Sequence, residues 1–480
     1  MMKKYIILSL AALSFLTATG CMDDYLNEPS ASGQGALSSI DAYSSIDGAN
    51  ATMAALLRMQ RAQWSEFAST DSGGLYSMLF ARSVKGSDVQ LNAGWFNFDY
   101  DNDNREPTYR RTSFTWRFPY MMIAKLNQFI KGVETSKSLG TEQANLLAQG
   151  KALRGFYYFQ LALEFNHAYK YDSKAVAPPV YTDINLEGKP MGTLEELYAQ
   201  IVNDLEFAVI NASSTRVDNS WVNKNVAAGM LANVYLSMEN WAKAESMAKL
   251  AYGDNLSTAL HTVTTYTPSG FDNYKDKEWL WSLPQTSDQT NYYYAAPHVF
   301  MDYSAPYKNG FLNSDFVAKF ANNDRRKEAI KVTSASLPVT DVRYWNTTKF
   351  KFAFTSAMAV FRNPEFVLVA AESAYRQGKV SEAQTLLNSF KATRYTNFVN
   401  ESLTGTALLE EILLERRKEL YAENGVEWFD AKRLQRGITR TGNHSIKKNL
   451  SPNDKRFILK IPQTELDSNP NIPSTINNDR

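Results

Sequence analysis

The sequence predicts a mainly α-helical protein, and three observations carry that prediction. A series of stretches repeats apolar residues at the spacing of a one-sided helix. Two helix pairs place small residues at matching positions across a short turn. A long interval between them, 253–350, and an earlier one, 70–115, have little helical period and many Asn, Asp, Pro and aromatic residues. Ordered intervals of that length in a helical protein usually carry function.

The chain opens on a processing signal. Lys3 and Lys4 precede an apolar run, Tyr5 to Leu16, that is short for a membrane span. Leu16-Thr17-Ala18-Thr19-Gly20-Cys21 follows, and small residues before a cysteine resemble a bacterial lipobox. Cys21 is the single cysteine, which excludes an intrachain disulfide and gives the thiol a reason to be there. The expectation is cleavage of residues 1–20 and acylation of Cys21 with palmitate-type chains. Each buried CH₂ adds roughly 0.8 kcal/mol to membrane affinity, so two or three chains anchor firmly. Asp23 and Asp24 resemble an export signal to the outer face, and residues 21–45 read as an acylated N-terminus and tether.

Residues 46–480 are then one folded domain. Helices are predicted over 46–67 (Met53, Leu56, Leu57, Met59), 116–133 (Tyr120, Ile123, Leu126, Ile130) and 142–165 (Phe156, Tyr157, Phe159, Phe165). The next, 194–210, starts from Thr193 with Glu196 in capping-box position. Stretches 223–238 and 241–252 form one close pair, and 365–377 and 381–393 another. Ala232 and Ala244 in the first match Ala371 and Ala383 in the second, and such pairs resemble degenerate tetratricopeptide hairpins. A last helix, 407–424, is expected to stop at Gly425.

Composition excludes several classes of function. Hydrophobic residues make up 44% and charged residues 21%, an ordinary globular balance. A formal net charge of +1 gives no long-range attraction for nucleic acid. His167, His261, His298 and His444 lack metal-ligand spacing, no phosphate-binding loop is present, and no cofactor is expected. Asp99, Asp101 and Asp103 alternate as Ca²⁺ ligands can, yet Asn104 and Arg110 stand where a calcium loop needs Gly and Glu. A solvated acidic turn is the better reading.

Several segments, taken in order, resemble the SusD/RagB family of glycan-capture lipoproteins. They are Lys151 to Phe159 with Ala177-Pro178-Pro179-Val180, Thr193 to Ala208, Asn225 to Tyr252, Glu415-Arg416-Arg417-Lys418-Glu419-Leu420 with Glu423 and Trp428-Phe429-Asp430, and Ile461 to Leu466 with Asn469-Pro470. The family often has Arg before Trp-Phe-Asp, where this chain has Glu427, and its usual closing segment is replaced by Ile476 to Arg480. The resemblance implies a scaffold of about four tetratricopeptide-like hairpins with ligand-binding loops. It also implies a non-enzymatic role: capture of a glycan at the outer face of the outer membrane and delivery to a SusC-like TonB-dependent transporter.

Sugar binding sets its own residue requirements. A pyranose has C–H faces that suit flat aromatic rings and a hydroxyl rim that suits Asn, Asp, Arg and Lys. Two windows fit. The first holds Asp88, Asn92, Trp95, Phe96 and Tyr100; the second runs from Trp279-Leu280-Trp281 through Asn291, Tyr292, Tyr293 and Tyr294 to Phe300 and Tyr303. The resemblance points to the same two regions. The competing reading is that these rings pack beneath their own loops. The dense charges of 415–430 read as a salt-bridged helix that closes the fold, not as catalytic acids. Two other functions stay open: capture of a peptide by the same kind of transporter, and a lipid-anchored glycoside hydrolase with two carboxylates facing across a cleft.

Overall fold

The computed structural model describes residues 41–61, 69, 71–184, 187–287 and 297–480. Cys21 and Tyr292, Tyr293 and Tyr294 lie outside them, as does the distal part of the helix expected over 46–67. Its described part, α1, is Ile46–Met59. The helices that follow are α2 (Leu75–Lys85), α3 (Asn97–Tyr100), α4 (Arg110–Thr135), α5 (Glu142–Phe165), α6 (Leu194–Asn211), α7 (Lys224–Ser237) and α8 (Trp241–Tyr252). Within the second irregular interval lies α9 (His298–Met301), and after it come α10 (Asn363–Arg376), α11 (Val380–Ala392), α12 (Gly405–Leu420), α13 (Val426–Arg433) and α14 (Gln463–Ser468). Among the described residues no helix is long and apolar enough to cross a membrane.

The helical scaffold is built from successive neighbours. α5 packs between α4 and α6, α6 on α7, α7 on α8, α8 on α10, and α10 on α11 and α12. The α7/α8 and α10/α11 hairpins are the two that the sequence pairs. Ala232, Ala244, Ala371 and Ala383 are all fully buried, so the small side chains do let the helices approach. The turns also match in backbone: Glu239 and Gly378 are both left-handed, at φ 55° and 78°. The repeat is thus conserved in conformation where it differs in residue. The predicted capping box is present too: Glu196 N–H donates to Thr193 Oγ1 (3.3 Å) and Thr193 N–H to Glu196 Oε2 (2.8 Å).

Two expectations need correction. α2 lies inside an interval read as irregular. All eleven of its residues are buried, so it shows no one-sided period to detect. α12 ends at Leu420, and Gly425 begins α13 instead of ending α12. At φ 73°, a side chain on Gly425 would meet Arg82 Cβ at 2.3 Å, so glycine permits both the turn and the approach of α2. The two irregular intervals also join each other. β1 (Val89–Leu91) from the first joins a sheet ordered β1-β3-β5-β4 with strands of the second: β3 (Gly310–Leu312), β4 (Ile330–Val332) and β5 (Trp345–Thr347). A second ribbon pairs β2 (Trp279–Leu283) with β6 (Met358–Arg362) and packs on α5, with Trp281 5.0 Å from Phe156.

The charges of α12 hold these parts together. Glu415 accepts from Arg326 Nη2 (2.6 Å) and the Tyr395 hydroxyl (2.5 Å). Glu419 accepts from Arg362 Nη1 (2.8 Å) and Arg394 Nε (2.9 Å), and Glu423 from Arg362 Nε (2.8 Å) and Lys349 Nζ (2.7 Å). Burial alone would raise Glu415, yet Arg326 and Lys418 hold it down at about 2. The salt-bridged reading of this helix therefore stands. Its partners are reached mainly from other elements, with Lys418 the neighbour on the same helix at 2.5 Å.

Glu365 behaves oppositely. It lies beside a cavity of about 40 Å³ lined in part by Gln160, Asn233 and Arg416, and burial raises its carboxyl to about 7. A raised folded-state value means its contribution is fully present below the unfolded value and is lost as pH rises through about 7. Glu365→Gln keeps an acceptor for Asn233 Nδ2 (3.0 Å) without the charge. We expect it to stabilise the fold by about 1–2 kcal/mol more at pH 8 than at pH 5 in urea unfolding. Equal effects at both pH values would show that Glu365 is not neutral in the fold.

Candidate functional site

The joined intervals set two loops side by side. β1 and β3 pair antiparallel, with Val89 opposite Leu312 and Leu91 opposite Gly310. The pairing continues past the strands: Asn92 N–H donates to Asn309 O (2.8 Å), and Asn309 Nδ2 donates to Trp95 O (3.1 Å). Gly94, at φ 144°, makes room for this contact, because a Cβ there would sit 2.9 Å from Asn309 Nδ2. One amide side chain thus fixes where the Trp95 loop lies against the second interval.

Above the strands is an aromatic ledge. The half-buried Trp95 ring lies 6.3 Å from Tyr307, tilted by 59°. Tyr307 stacks on Phe300 (5.6 Å), which stacks on Phe80 of α2 (5.4 Å), so the ledge is the outer end of a column rooted in the core. Tyr303 is 45% exposed, with Lys308 Nζ 5.5 Å from its ring centroid. Asn92 is exposed beside the Trp95 loop. The ledge therefore offers flat apolar faces with an amide and an ammonium at its edge.

Three residues of the first window do not face solvent, and their role is corrected from contact to support. Phe96 adopts φ 65°, is 2% exposed and sets its ring edge-on against Phe80 (5.1 Å) and Phe300 (5.0 Å). Tyr100 is fully buried; its hydroxyl bonds His444 Nδ1 at 2.7 Å, and the Arg440 guanidinium covers its ring at 4.5 Å. Asp88 is buried and accepts from Arg417 Nε at 3.0 Å. Burial lifts its carboxyl to about 7, against the pull of Arg417 and with the push of Glu427. In the second window, Trp279, Trp281 and Phe300 are likewise core, while Tyr303 is exposed.

Glu427, where the family often has Arg, finds its partners here. It accepts from Ser87 N–H (2.6 Å), Asp88 N–H (3.0 Å) and Arg417 Nη2 (3.1 Å). Glu427 therefore ties α13 to the backbone just before β1. The acidic triplet is not a solvated turn throughout. Asp99 is buried in a bidentate pair with Arg111 (3.0 and 3.1 Å), while Asp101 pairs with Lys448 (2.9 Å). Among the described residues no group of three or more His, Cys, Asp or Glu could hold a metal ion. Tyr307, Lys308 and Asn309 were missed, although Pro306-Tyr307-Lys308-Asn309-Gly310 has the composition of a turn closing the second window.

Comparison with known proteins agrees with this architecture. Residues 25–236 match a SusD-like family described as starch-binding and associating with the outer membrane, and residues 342–477 match the SusD family itself. The chain belongs to the SusD/RagB family. A SusD-like carbohydrate-binding protein from Bacteroides vulgatus superposes with a TM-score of 0.79 at 26% identity, over 89% of this chain and 97% of that one. A SusD superfamily protein from Bacteroides thetaiotaomicron gives 0.77 at 23% identity, over 89% and 99%. A laminarin-binding SusD-like protein gives 0.68 at 18% identity, over 90% and 99%. No curated protein matches the chain. The likeness to each of these structures covers 89–90% of this chain.

Proposed function

We propose that this protein is a cell-surface glycan-binding lipoprotein that captures an oligo- or polysaccharide and hands it to a partner TonB-dependent transporter. The observation that carries this reading is the Trp95–Tyr307 ledge, held by Asn309 at the outer end of the Phe80–Phe300 column. Rings fixed from behind present apolar area with little loss of side-chain freedom, which suits sugar C–H faces. Asn92, Tyr303 and Lys308 are placed to meet hydroxyls. Tyr292, Tyr293 and Tyr294 belong to the same interval and complete the proposed contact set.

The role is binding without catalysis. Glu415 and Glu419, the acids of the most recognisable family motif, are fully buried in ion pairs. Calorimetry against plant, host and microbial polysaccharides tests the proposal. Saturable binding to one class with no sugar released supports it; release of reducing sugar would make the protein a hydrolase, and binding of peptides alone would reassign the ledge. Cys21 carries the lipid anchor in this reading. Cys21→Ala is expected to move the protein from the membrane to the soluble fraction of cells, and retention in the membrane would refute the anchor.

A further inference from the structure

A cleft of about 420 Å³ lies along the middle of α4, closed by residues 181–184 and by Glu465 of α14. It shares no lining residue with the Trp95 ledge. Tyr120 and Tyr181, both half-buried, form its aromatic wall, and the buried Trp116 backs them. Trp116 and Tyr120 sit 5.0 Å apart, and Tyr181 meets Tyr120 edge-on at 5.8 Å.

Each of these rings is tied by its polar end. Trp116 Nε1 donates to Glu465 Oε2 (3.1 Å), the Tyr120 hydroxyl donates to Pro179 O (2.8 Å), and the Tyr181 hydroxyl accepts from Lys189 N–H (2.8 Å). The strap itself is pinned by Asn127 Nδ2, which donates to Tyr181 O at 2.9 Å. The rings are therefore oriented before any ligand arrives, and their polar atoms make no demand on it. Ile123 and Ala124 supply apolar floor. The rim mixes donors and acceptors: Arg117 and Gln128 on α4 face Asp183 and Glu465. Vicinal hydroxyls need both kinds of group, whereas an anion or a cation would need one. The volume is within the roughly 300–1,000 Å³ common for small-ligand pockets.

We propose that this cleft is a second saccharide-binding site, which takes a neutral sugar unit of the same glycan that the ledge captures. The proposal rests on the glycan reading of the ledge. Trp116 and Trp95 give separate reporters for the two sites. The test is ¹⁹F NMR of the protein labelled with 5-fluorotryptophan, the two signals assigned through Trp116→Phe and Trp95→Phe. Laminarin, soluble starch, xylan and yeast mannan serve as probes.

The expected result is a saturable shift of both signals with the same polysaccharide. Ala124 is exposed on α4, so Ala124→Phe fills the cleft without entering the core. In that variant the half-saturation concentration read at Trp116 should rise at least tenfold, with the Trp95 response unchanged. A Trp95 shift without a Trp116 shift overturns the second site and leaves the ledge intact. A Trp116 shift that survives Ala124→Phe unchanged also overturns it, because the signal then comes from elsewhere. A Trp116 shift alone refutes the ledge and with it the proposal of a second site, leaving the cleft as the protein's sugar site. Silence of both signals with every probe defeats both readings.

Discussion

Glu419→Ala should destabilise the fold by about 3–5 kcal/mol, the range expected when one member of a buried ionic cluster is removed. Glu419 is fully buried and faces Arg362, Arg394 and Arg326, at 2.8, 2.9 and 3.4 Å. Alanine would leave guanidinium groups in a dry site with too little negative charge. Arg362 and Arg394 retain Glu423 and Glu278 as neighbours, so collapse is incomplete. Burial by itself would raise Glu419, but Arg394 and Arg362 hold it well below the usual carboxylate range. The group therefore contributes stability that is present above the unfolded-state value and is lost as pH falls toward its folded value. Urea denaturation of both proteins at pH 7 and near pH 3 checks the argument. The gap should narrow at low pH, and a constant gap would mean that packing, not charge, makes the difference.

Trp95→Ala should weaken glycan binding by about 1–3 kcal/mol, or roughly 5- to 150-fold, with little change in thermal stability. The ring is half-buried, but its loop is held by main-chain and Asn309 contacts that alanine retains. Phe96→Ala is the informative contrast. Its ring lies between Phe80 and Phe300, so that variant should lose stability first and affinity only as a consequence. Calorimetric affinities paired with melting curves separate the two cases. A Trp95→Ala protein that melts far below wild type would show that the ring is core, and the ledge assignment would fall.

The helices were legible where one face is apolar and the other wet, as in α1, α6 and α11. They were hidden where burial is complete, as in α2, because periodicity needs a polar face to be seen. At the candidate site, residue types could not say which side of the backbone each ring takes. Trp95 and Phe96 are adjacent aromatics, and the left-handed turn at Phe96 accompanies one ring packed in the core and one at the surface. Asp88 has the chemistry to bind a hydroxyl, but Arg417, more than three hundred positions away in sequence, occupies it. Tyr307 gains its place from the β1–β3 register, a long-range pairing that no local pattern encodes.

The ionic cluster under α12 has an implication for how such proteins change. Glu278, just before β2, and Arg362, at the end of β6, both meet Arg394 or Glu419 of the scaffold, and Arg326 and Lys349 fasten the chain between them. The chain between Glu278 and Arg362 is thus clamped at both ends, and the turn that bears Tyr303 and Tyr307 lies between the clamps. Turns between fixed borders can be lengthened, shortened or exchanged at small thermodynamic cost. This segment can behave as a cassette: a scaffold that keeps its clamps can trade one carbohydrate specificity for another by swapping what lies between them.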